Sequence, residues 1–373
     1  MVFTVRVPNS LSAHCASASI NISWRVIPAR TFNDRYGAMT RSCVRINVFG
    51  AMTTLAFLGD LMLGGDVSAA LAQHGPAWLL GDCLDHLQRA DAVIANLESP
   101  ITANAAPWRR TFKFYHFKAE ASAVKLLQAG NVRAVCLANN HMLDYGERGL
   151  TDTLTALEGA GIAGVGAGRD LAEARAGRIL NVAGMKVGLV AATDGMPEFT
   201  ASEGAAGTHV LDFRAGNTEW IARAVSDLRR AGAVLIVLSI HWGPNLRRSP
   251  STRFRAFARD AIDVGVDVIH GHSAHVAHGV ERHGAGIVLY DTGNFIDDYW
   301  KIPFRRTTSS FIWLLDVRPG ARLGLTLVPV LTKPLPLRLA GGAPRRDLVG
   351  HMRALCARLG TPTQETDDGL IVL

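Results

Sequence analysis

The chain has 373 residues, of which 48% are hydrophobic and 19% charged. That is too apolar for intrinsic disorder and long enough for one large domain or two ordinary ones. Its 37 glycines and 15 prolines follow no fixed period, which excludes a collagen-like or low-complexity chain. No apolar run approaches the ~20 residues that a membrane-spanning helix needs. Five cysteines (Cys15, Cys43, Cys83, Cys136, Cys356) lie far apart without a C-x-x-C pair. Neither a disulfide scaffold nor a thiolate zinc site is expected, and a reducing compartment is the plain reading. The formal net charge is +7, but residues 1–50 hold six arginines against Asp34 alone. Five of those seven charges therefore sit there, and the other 323 residues carry only two. A nucleic-acid partner is excluded on that balance.

Residues 1–51 show neither helical nor strand periodicity, and no apolar run of roughly 7–15 residues follows their arginines, so a secretory signal fails. They are expected to be an extension, disordered or a mis-called start, ahead of Met52. From Thr54 onward apolar strands alternate with helical patterns, the mark of α/β construction. Leu55–Leu58 is a strand ending at Gly59-Asp60, and Ala69–Leu87 is helical with breaks at Gly75-Pro76 and Gly81. Asp91–Leu97 is a strand ending at Glu98. Ala119–Ala129 is helical, and Val132–Ala138 is a strand ending at Asn139-Asn140-His141. A helix over Glu147–Ala160 and a strand at Ile162–Val165 follow. Arg178–Val182 and Lys186–Ala191 form a hairpin. A helix over Asn217–Ala231 leads into the very apolar strand Ala233–Ile240, which ends at His241. Phe254–Val264 is a helix, and Val266–Ile269 a strand that delivers Gly271-His272. Ile287–Tyr290, Ser310–Val317 and Leu323–Val330 are later strands. Residues 52–335 read as one domain. Residues 336–373, with a helix at Asp347–Leu359 and an apolar end at Leu370–Leu373, are packed on it or appended to it.

Strand after strand ends in a polar, metal-competent residue: Asp60, Glu98, Asn140 with His141, His241, His272. In open α/β sheets the carboxyl ends of the strands gather at one rim, where ligands bind. Zinc, manganese and iron in hydrolases take imidazole nitrogen together with carboxylate or amide oxygen, and carboxylates can bridge two such ions. Asp60, Glu98, Asn140, His241, His272 and His275 supply six candidate ligands. Six of the 13 histidines (His241, His270, His272, His275, His278, His283) lie close together in sequence. Any one strand-end histidine is more often a satisfied polar residue than a ligand; for the whole set the balance reverses.

Six motifs occur in order: Gly-Asp-Leu-Met-Leu-Gly (59–64), Asn-Leu-Glu-Ser-Pro-Ile-Thr (96–102), Ala-Asn-Asn-His-Met-Leu-Asp-Tyr-Gly (138–146), His-Trp-Gly (241–243), Gly-His-Ser-Ala-His-Val (271–276) and Gly-Asn-Phe (293–295). Together they resemble the CapA family of poly-γ-glutamate capsule biosynthesis proteins, whose pattern is similar to the calcineurin-like metallophosphoesterases. The resemblance implies a four-layer α-β-β-α sandwich with its site at one rim, and one or two divalent ions (Mn, Zn or Fe). It implies Asp60 as the first-strand metal aspartate, Glu98 as a bridging carboxylate and Asn140 as a further ligand. His141 would be the acid that protonates a leaving group, and His241, His272 and His275 would complete the metal shells. Two departures stand out. Met62 takes the place of the histidine in the phosphoesterase Asp-x-His, and Gly-His-Ser-Ala-His carries one residue more than Gly-His-x-His. Either change leaves a one-metal or a metal-free site open.

Lys113, His116 and Lys118 in FKFYHFK suit an anionic substrate, although alternation in a half-exposed strand accounts for them equally well. Arg247 and Arg248 follow His-Trp-Gly; they suit carboxylate or phosphate contacts, and a solvated loop suits them as well. Asn139, Asp144 and Asn294, with Asp291, Asp297 and Asp298, are candidates for supporting positions around the ligands. Gly164, Gly166 and Gly168 follow a strand but complete no dinucleotide fingerprint, so they read as a turn. The expected function is capsule or envelope polyglutamate biosynthesis, by metal-dependent hydrolysis of a phosphoester or related bond. The alternative is a non-catalytic accessory protein that holds a polyglutamate- or polyglutamine-type polymer. Expected partners are an anionic polymer or phosphoester substrate and other capsule synthesis proteins. The expected location is cytoplasmic, with envelope association as the alternative.

Overall fold

A computed structural model of the chain describes residues 52–213, 218–298 and 306–373. The expectations for residues 1–51, Cys15 and Cys43 included, lie outside these. In chain order the strands are β1 (Thr53–Leu61), β2 (Ala92–Leu97), β3 (Val132–Cys136), β4 (Ala163–Val165), β5 (Ala167–Gly168), β6 (Arg178–Val182), β7 (Met185–Thr193), β8 (Gly207–Thr208) and β9 (Leu235–His241). They continue as β10 (Val268–His272), β11 (Val280–His283), β12 (Gly286–Leu289), β13 (Asn294–Ile296), β14 (Ser309–Val317), β15 (Gly324–Leu331), β16 (Arg338–Leu339), β17 (Thr363–Thr366) and β18 (Gly369–Val372). Among the described residues, one mixed sheet runs β17-β18-β15-β14-β1-β2-β3-β4, with β13 also on β1 and β16 on β15. A second runs β11-β12-β10-β9-β7-β6.

The alternation of apolar side chains explains why the sheets stack. In β1, Leu55 and Phe57 face the second sheet while Ala56 and Leu58 face helices on the outer side. In β9, Leu235 and Val237 point inward, and Ile236, Leu238 and Ile240 meet helices Glu219–Arg230 and Thr252–Asp263. Strands covered on both faces must be apolar throughout, which is what AVIANL in β2 and LIVLSIH in β9 provide. The result is α-β-β-α, with helices outside two packed sheets. The C-terminal helix Gly342–Arg358 sends Leu348, Val349, Met352 and Leu355 into the layer between the sheets. The hairpin β17–β18 extends the larger sheet through β15.

The FKFYHFK stretch is not a strand. Its backbone is irregular from Phe112 to Lys118, because Lys113 turns inward to the Asn140 carbonyl and the Asp144 carboxylate while its aromatic neighbours point out. Cys83, Cys136 and Cys356 are buried and unbridged. Among the described residues, no helix is long and apolar enough to cross a membrane.

Candidate functional site

Parallel pairing brings the strand ends into line. Asp60 at the end of β1 sits in register with Asn96 on β2 and Asn294 on β13. In the second sheet His272 on β10 is in register with His241 on β9, which is itself opposite Thr193 on β7. Two glycines permit this. A Cβ on Gly59 would fall 1.6 Å from the Gly293 carbonyl oxygen, and one on Gly271 would fall 2.2 Å from that of Tyr290. The extra residue of Gly-His-Ser-Ala-His is absorbed by left-handed backbone, with φ of 116° at Ser273 and 60° at His275. That turn swings His275 back toward β1.

The side chains converge. His275 Nδ1 lies 3.0 Å from Asp60 Oδ2 and 4.0 Å from Glu98 Oε2. His241 Nε2 is 3.5 Å from Glu98 Oε1, and the Nδ1 atoms of His241 and His272 are 3.0 Å apart. Two triads, Asp60–His241–His272 and Asp60–Glu98–His275, have ligand atoms close enough for one ion each. All five residues are at most 5% exposed.

The electrostatics show what this arrangement lacks. Burial pushes Glu98 well above the ordinary carboxylate range, and the Asp60 charge adds to the effect. Burial also acts to raise Asp60, but the hydrogen bond and charge of His275 outweigh it and its pKa is lowered. Burial drives His241 down to about 3 and His272 well below the usual imidazole value, so both present lone pairs. His275 goes the other way: burial opposes its charge, yet Glu98 and Asp60 hold it up to about 10. The upward pull of Glu98 and Asp60 on His275 shows that this corner of the site favours positive charge. Both oxygens of Glu98 and Oδ1 of Asn140 are buried without a hydrogen-bond partner. Unpartnered carboxylate and amide oxygens beside neutral imidazoles are the donor set of a divalent transition metal, so the residues fit such an ion.

Around these side chains runs a supporting network. Asn96 Nδ2 donates to Asp60 Oδ1 at 2.8 Å, and Asn139 Nδ2 donates to Asn96 Oδ1 at 3.1 Å. Asn294 Oδ1 lies 2.9 Å from His275 Nδ1, while Asn294 Nδ2 donates to Asp297, which pairs with Lys333. Asp291 accepts from the Ala274 and Gly293 amides and so fixes the loop that carries His275. Asp298, which feels the charges of Asp297 and Lys333, lies against Gly65 at the start of the first helix. His141, next to Asn140, is 5% exposed, and its Nδ1 is 2.6 Å from Asp144 Oδ2. Burial lowers its pKa against the opposing pull of Asp144.

The substrate-contact candidates divide. Lys113 reaches Asp144 Oδ1 at 3.2 Å and the Asn140 carbonyl at 2.6 Å, so it braces the site. Lys118 Nζ sits 5.5 Å from the centre of the Tyr145 ring. Arg247 and Arg248 are exposed; Arg247 borders a cleft of about 340 Å³ with Asp194 and Arg253. Of the other clustered histidines, His270 bonds the Leu58 carbonyl and Ser239, His278 the Arg247 carbonyl, and His283 pairs with Asp263. Sequence reasoning missed Asn96 and Ser239, whose hydroxyl is 3.1 Å from His272 Nε2. The period of two along a strand could have found both, since Asn96 precedes Glu98 by two residues and Ser239 precedes His241 by two.

Residues 54–299 match the family described as "Bacterial capsule synthesis protein PGA_cap". The chain is 30% identical over 286 residues to "Capsule biosynthesis protein CapA" of Bacillus anthracis, covering 74% of this chain and 67% of that one. It is 32% identical over 308 residues to a Mycobacterium tuberculosis protein named "Probable polyglutamine synthesis accessory protein", covering 79% and 80%. Among solved structures, Haemophilus influenzae NAD nucleotidase aligns with a TM-score of 0.45 at 13% identity, over 86% of this chain and 57% of that one. The chain belongs to the bacterial capsule synthesis protein family PGA_cap.

Proposed function

We propose that this protein is a metal-dependent hydrolase acting on a phosphoester or related bond while an anionic envelope polymer is made or handled. The observation that carries the reading is the burial of Glu98 with both carboxylate oxygens unpartnered among Asp60, His241 and His275. A buried carboxylate with nothing to satisfy it is costly unless a cation completes it. Asp60, Glu98 and His275 would hold one ion, and Asp60, His241 and His272, with Asn140 Oδ1 at the rim, a second. A bound divalent ion of the manganese, zinc or iron kind polarises the scissile group and lowers the pKa of water. Met62 is fully buried at the position that holds a histidine in the phosphoesterase pattern, and the turn at Ser273–His275 brings His275 to within 3.0 Å of Asp60.

The chain's own acid is His141. Asp144 takes Nδ1, leaving Nε2 to carry a proton to the departing oxygen. Asn139 accepts from the His141 amide and donates to Asn96, so acid and ligand frame are tied together. Lys118, Arg247 and Arg248 supply positive charge for an anionic substrate. The test is elemental analysis after incubation with manganese, zinc or iron, paired with hydrolysis of bis-p-nitrophenyl phosphate and a γ-glutamyl peptide. Metal uptake with metal-dependent turnover supports the reading. Polyglutamate binding without turnover of either substrate would hand the site to the accessory role that the tuberculosis relative's name carries.

A further inference from the structure

Among the described residues, three of the seven strongly exposed large apolar side chains fall in four consecutive positions: Phe112 at 81%, Phe114 at 81% and Tyr115 at 67%. Single exposed apolar residues need no explanation, but a contiguous group of aromatic rings does. The rings are arranged in series. Phe112 and Phe114 meet edge-on at 4.6 Å, Tyr115 lies parallel to Phe117 at 6.4 Å, and Phe117 packs at 4.5 Å on His141. The loop is anchored at its root as well: the Phe117 amide donates to Asp144, and Lys113 is clamped between Asp144 and the Asn140 carbonyl. An exposed aromatic tip is thus fastened to the wall of the site.

The charge of the segment gives its complement. Residues 107–118 contain Arg109, Arg110, Lys113 and Lys118 and no acidic residue. Lys113 is spent inward and Lys118 lies over the Tyr145 ring, so exposed Arg109 and Arg110 are the cations beside the rings, Arg110 sharing an exposed contact with Glu147 and lying 5.2 Å from the centre of the Trp108 ring. We propose that the loop 107–118 docks on an anionic lipid bilayer, with Phe112, Phe114 and Tyr115 seated at headgroup level and the arginines over the lipid phosphates. Aromatic rings settle at the boundary between headgroups and chains, and cations beside them add attraction to an anionic leaflet. A soluble polycarboxylate satisfies the cations but offers nothing to three exposed rings, whereas a bilayer satisfies both. Docking this way sets the rim that carries His141 against the membrane surface, within reach of a substrate held there. The inference stands apart from the hydrolase reading, since vesicle binding needs neither metal nor turnover.

Sedimentation of the full chain with phosphatidylcholine vesicles, with and without phosphatidylglycerol, tests it. The wild type should pellet with the anionic vesicles and be released by salt. Phe112→Ser/Phe114→Ser/Tyr115→Ser should weaken binding by roughly tenfold or more, with an unchanged thermal midpoint because the rings touch no core. Arg109→Gln and Arg110→Gln should each cost roughly fivefold. Equal pelleting of wild type and triple variant overturns the proposal, as does a wild type that ignores both vesicles. Capture by soluble polyglutamate that the triple variant loses, with no vesicle binding, overturns it in favour of a polymer platform.

Discussion

Asp144 divides its carboxylate between two partners: Oδ2 meets His141 Nδ1 at 2.6 Å, and Oδ1 meets Lys113 Nζ at 3.2 Å. With no exposure of its own, Asp144 can only serve these neighbours and the Phe117 amide. In the proposed role of His141 as acid, Asp144 would hold a proton at Nδ1, leave Nε2 as the reacting nitrogen and keep the imidazolium paired once formed. His141→Ala should lose about 10²–10⁴ in kcat on a phosphodiester while retaining wild-type metal content. His141→Gln should be nearly as poor, because it keeps size and a donor but cannot titrate. Asp144→Asn should fall between wild type and these variants. Full turnover in His141→Ala would remove it from the role of acid and leave the metal reading intact.

Glu98 makes the corresponding prediction for the ion. In metal-free protein, Glu98→Gln removes a buried charge that burial and Asp60 both disfavour, so its thermal midpoint should equal or exceed the wild type's. On adding manganese or zinc the order should reverse. An ion at a hundred times its Kd stabilises the state that binds it by about 2.7 kcal/mol, and only the wild type should gain that in full. His241→Ala should likewise bind less metal by elemental analysis. Identical metal-induced shifts in wild type and Glu98→Gln would show that the ion, if bound, sits elsewhere.

Much of this was legible from residue order. Every strand that delivers a proposed ligand is a short apolar run ending in Asp60, Glu98, Asn140, His241 or His272, and a period of two assigns its faces. What stayed illegible depends on partners distant in sequence. The period of two puts Ser239 on the same face as His241, but its partner shows only when β10 lies beside it and His272 arrives at 3.1 Å. Lys113 reads as one of several exposed cations until the loop 107–118 folds it under Asp144. His270, two residues before His272 on the same strand, has the right spacing for a ligand, yet it bonds the Leu58 carbonyl across the sheets. Chain spacing could not separate the two.

Acid should destabilise the fold through buried histidines that are not proposed ligands. His209 bonds the Ala191 carbonyl and His278 that of Arg247, and burial pushes each down to about 4. Between the unfolded value near 6.5 and that folded value, the unfolded chain binds protons that the native one refuses, so stability falls as pH falls. At pH 5 each should have cost about 2 kcal/mol. Asp291, held up to about 8 by burial and by Asp60, works in the opposite sense over the same range. The informative comparison is therefore the slope of thermal midpoint against pH for wild type and for His209→Gln/His278→Gln. The double variant should lose less between pH 7 and pH 5, and parallel slopes would refute the assignment.

The two glycines beside proposed ligands should be the least replaceable residues of the site, although neither carries any chemistry. Gly59 and Gly271 directly precede Asp60 and His272, and both are pressed against the segment between β12 and β13 that contains Asp291: Gly59 against Gly293, Gly271 against Tyr290. A methyl at 2.2 Å from a backbone oxygen has no flexible neighbour to displace, so β10 must move away from the Tyr290 segment. That movement breaks the bond from the Thr292 amide to the Gly271 carbonyl and carries His272 out of register with His241. Overpacking of this kind costs about 1–3 kcal/mol or more. Gly271→Ala should lower the thermal midpoint and, in whatever fraction still folds, metal uptake; Gly59→Ala should do the same through β1 and Asp60. Gly159→Ala, on the helix Gly146–Gly159 with nothing within 4 Å of its added methyl, is the control and should leave both unchanged. If Gly271→Ala melts with the control and binds metal equally well, the close approach of the two backbones does not set the position of His272.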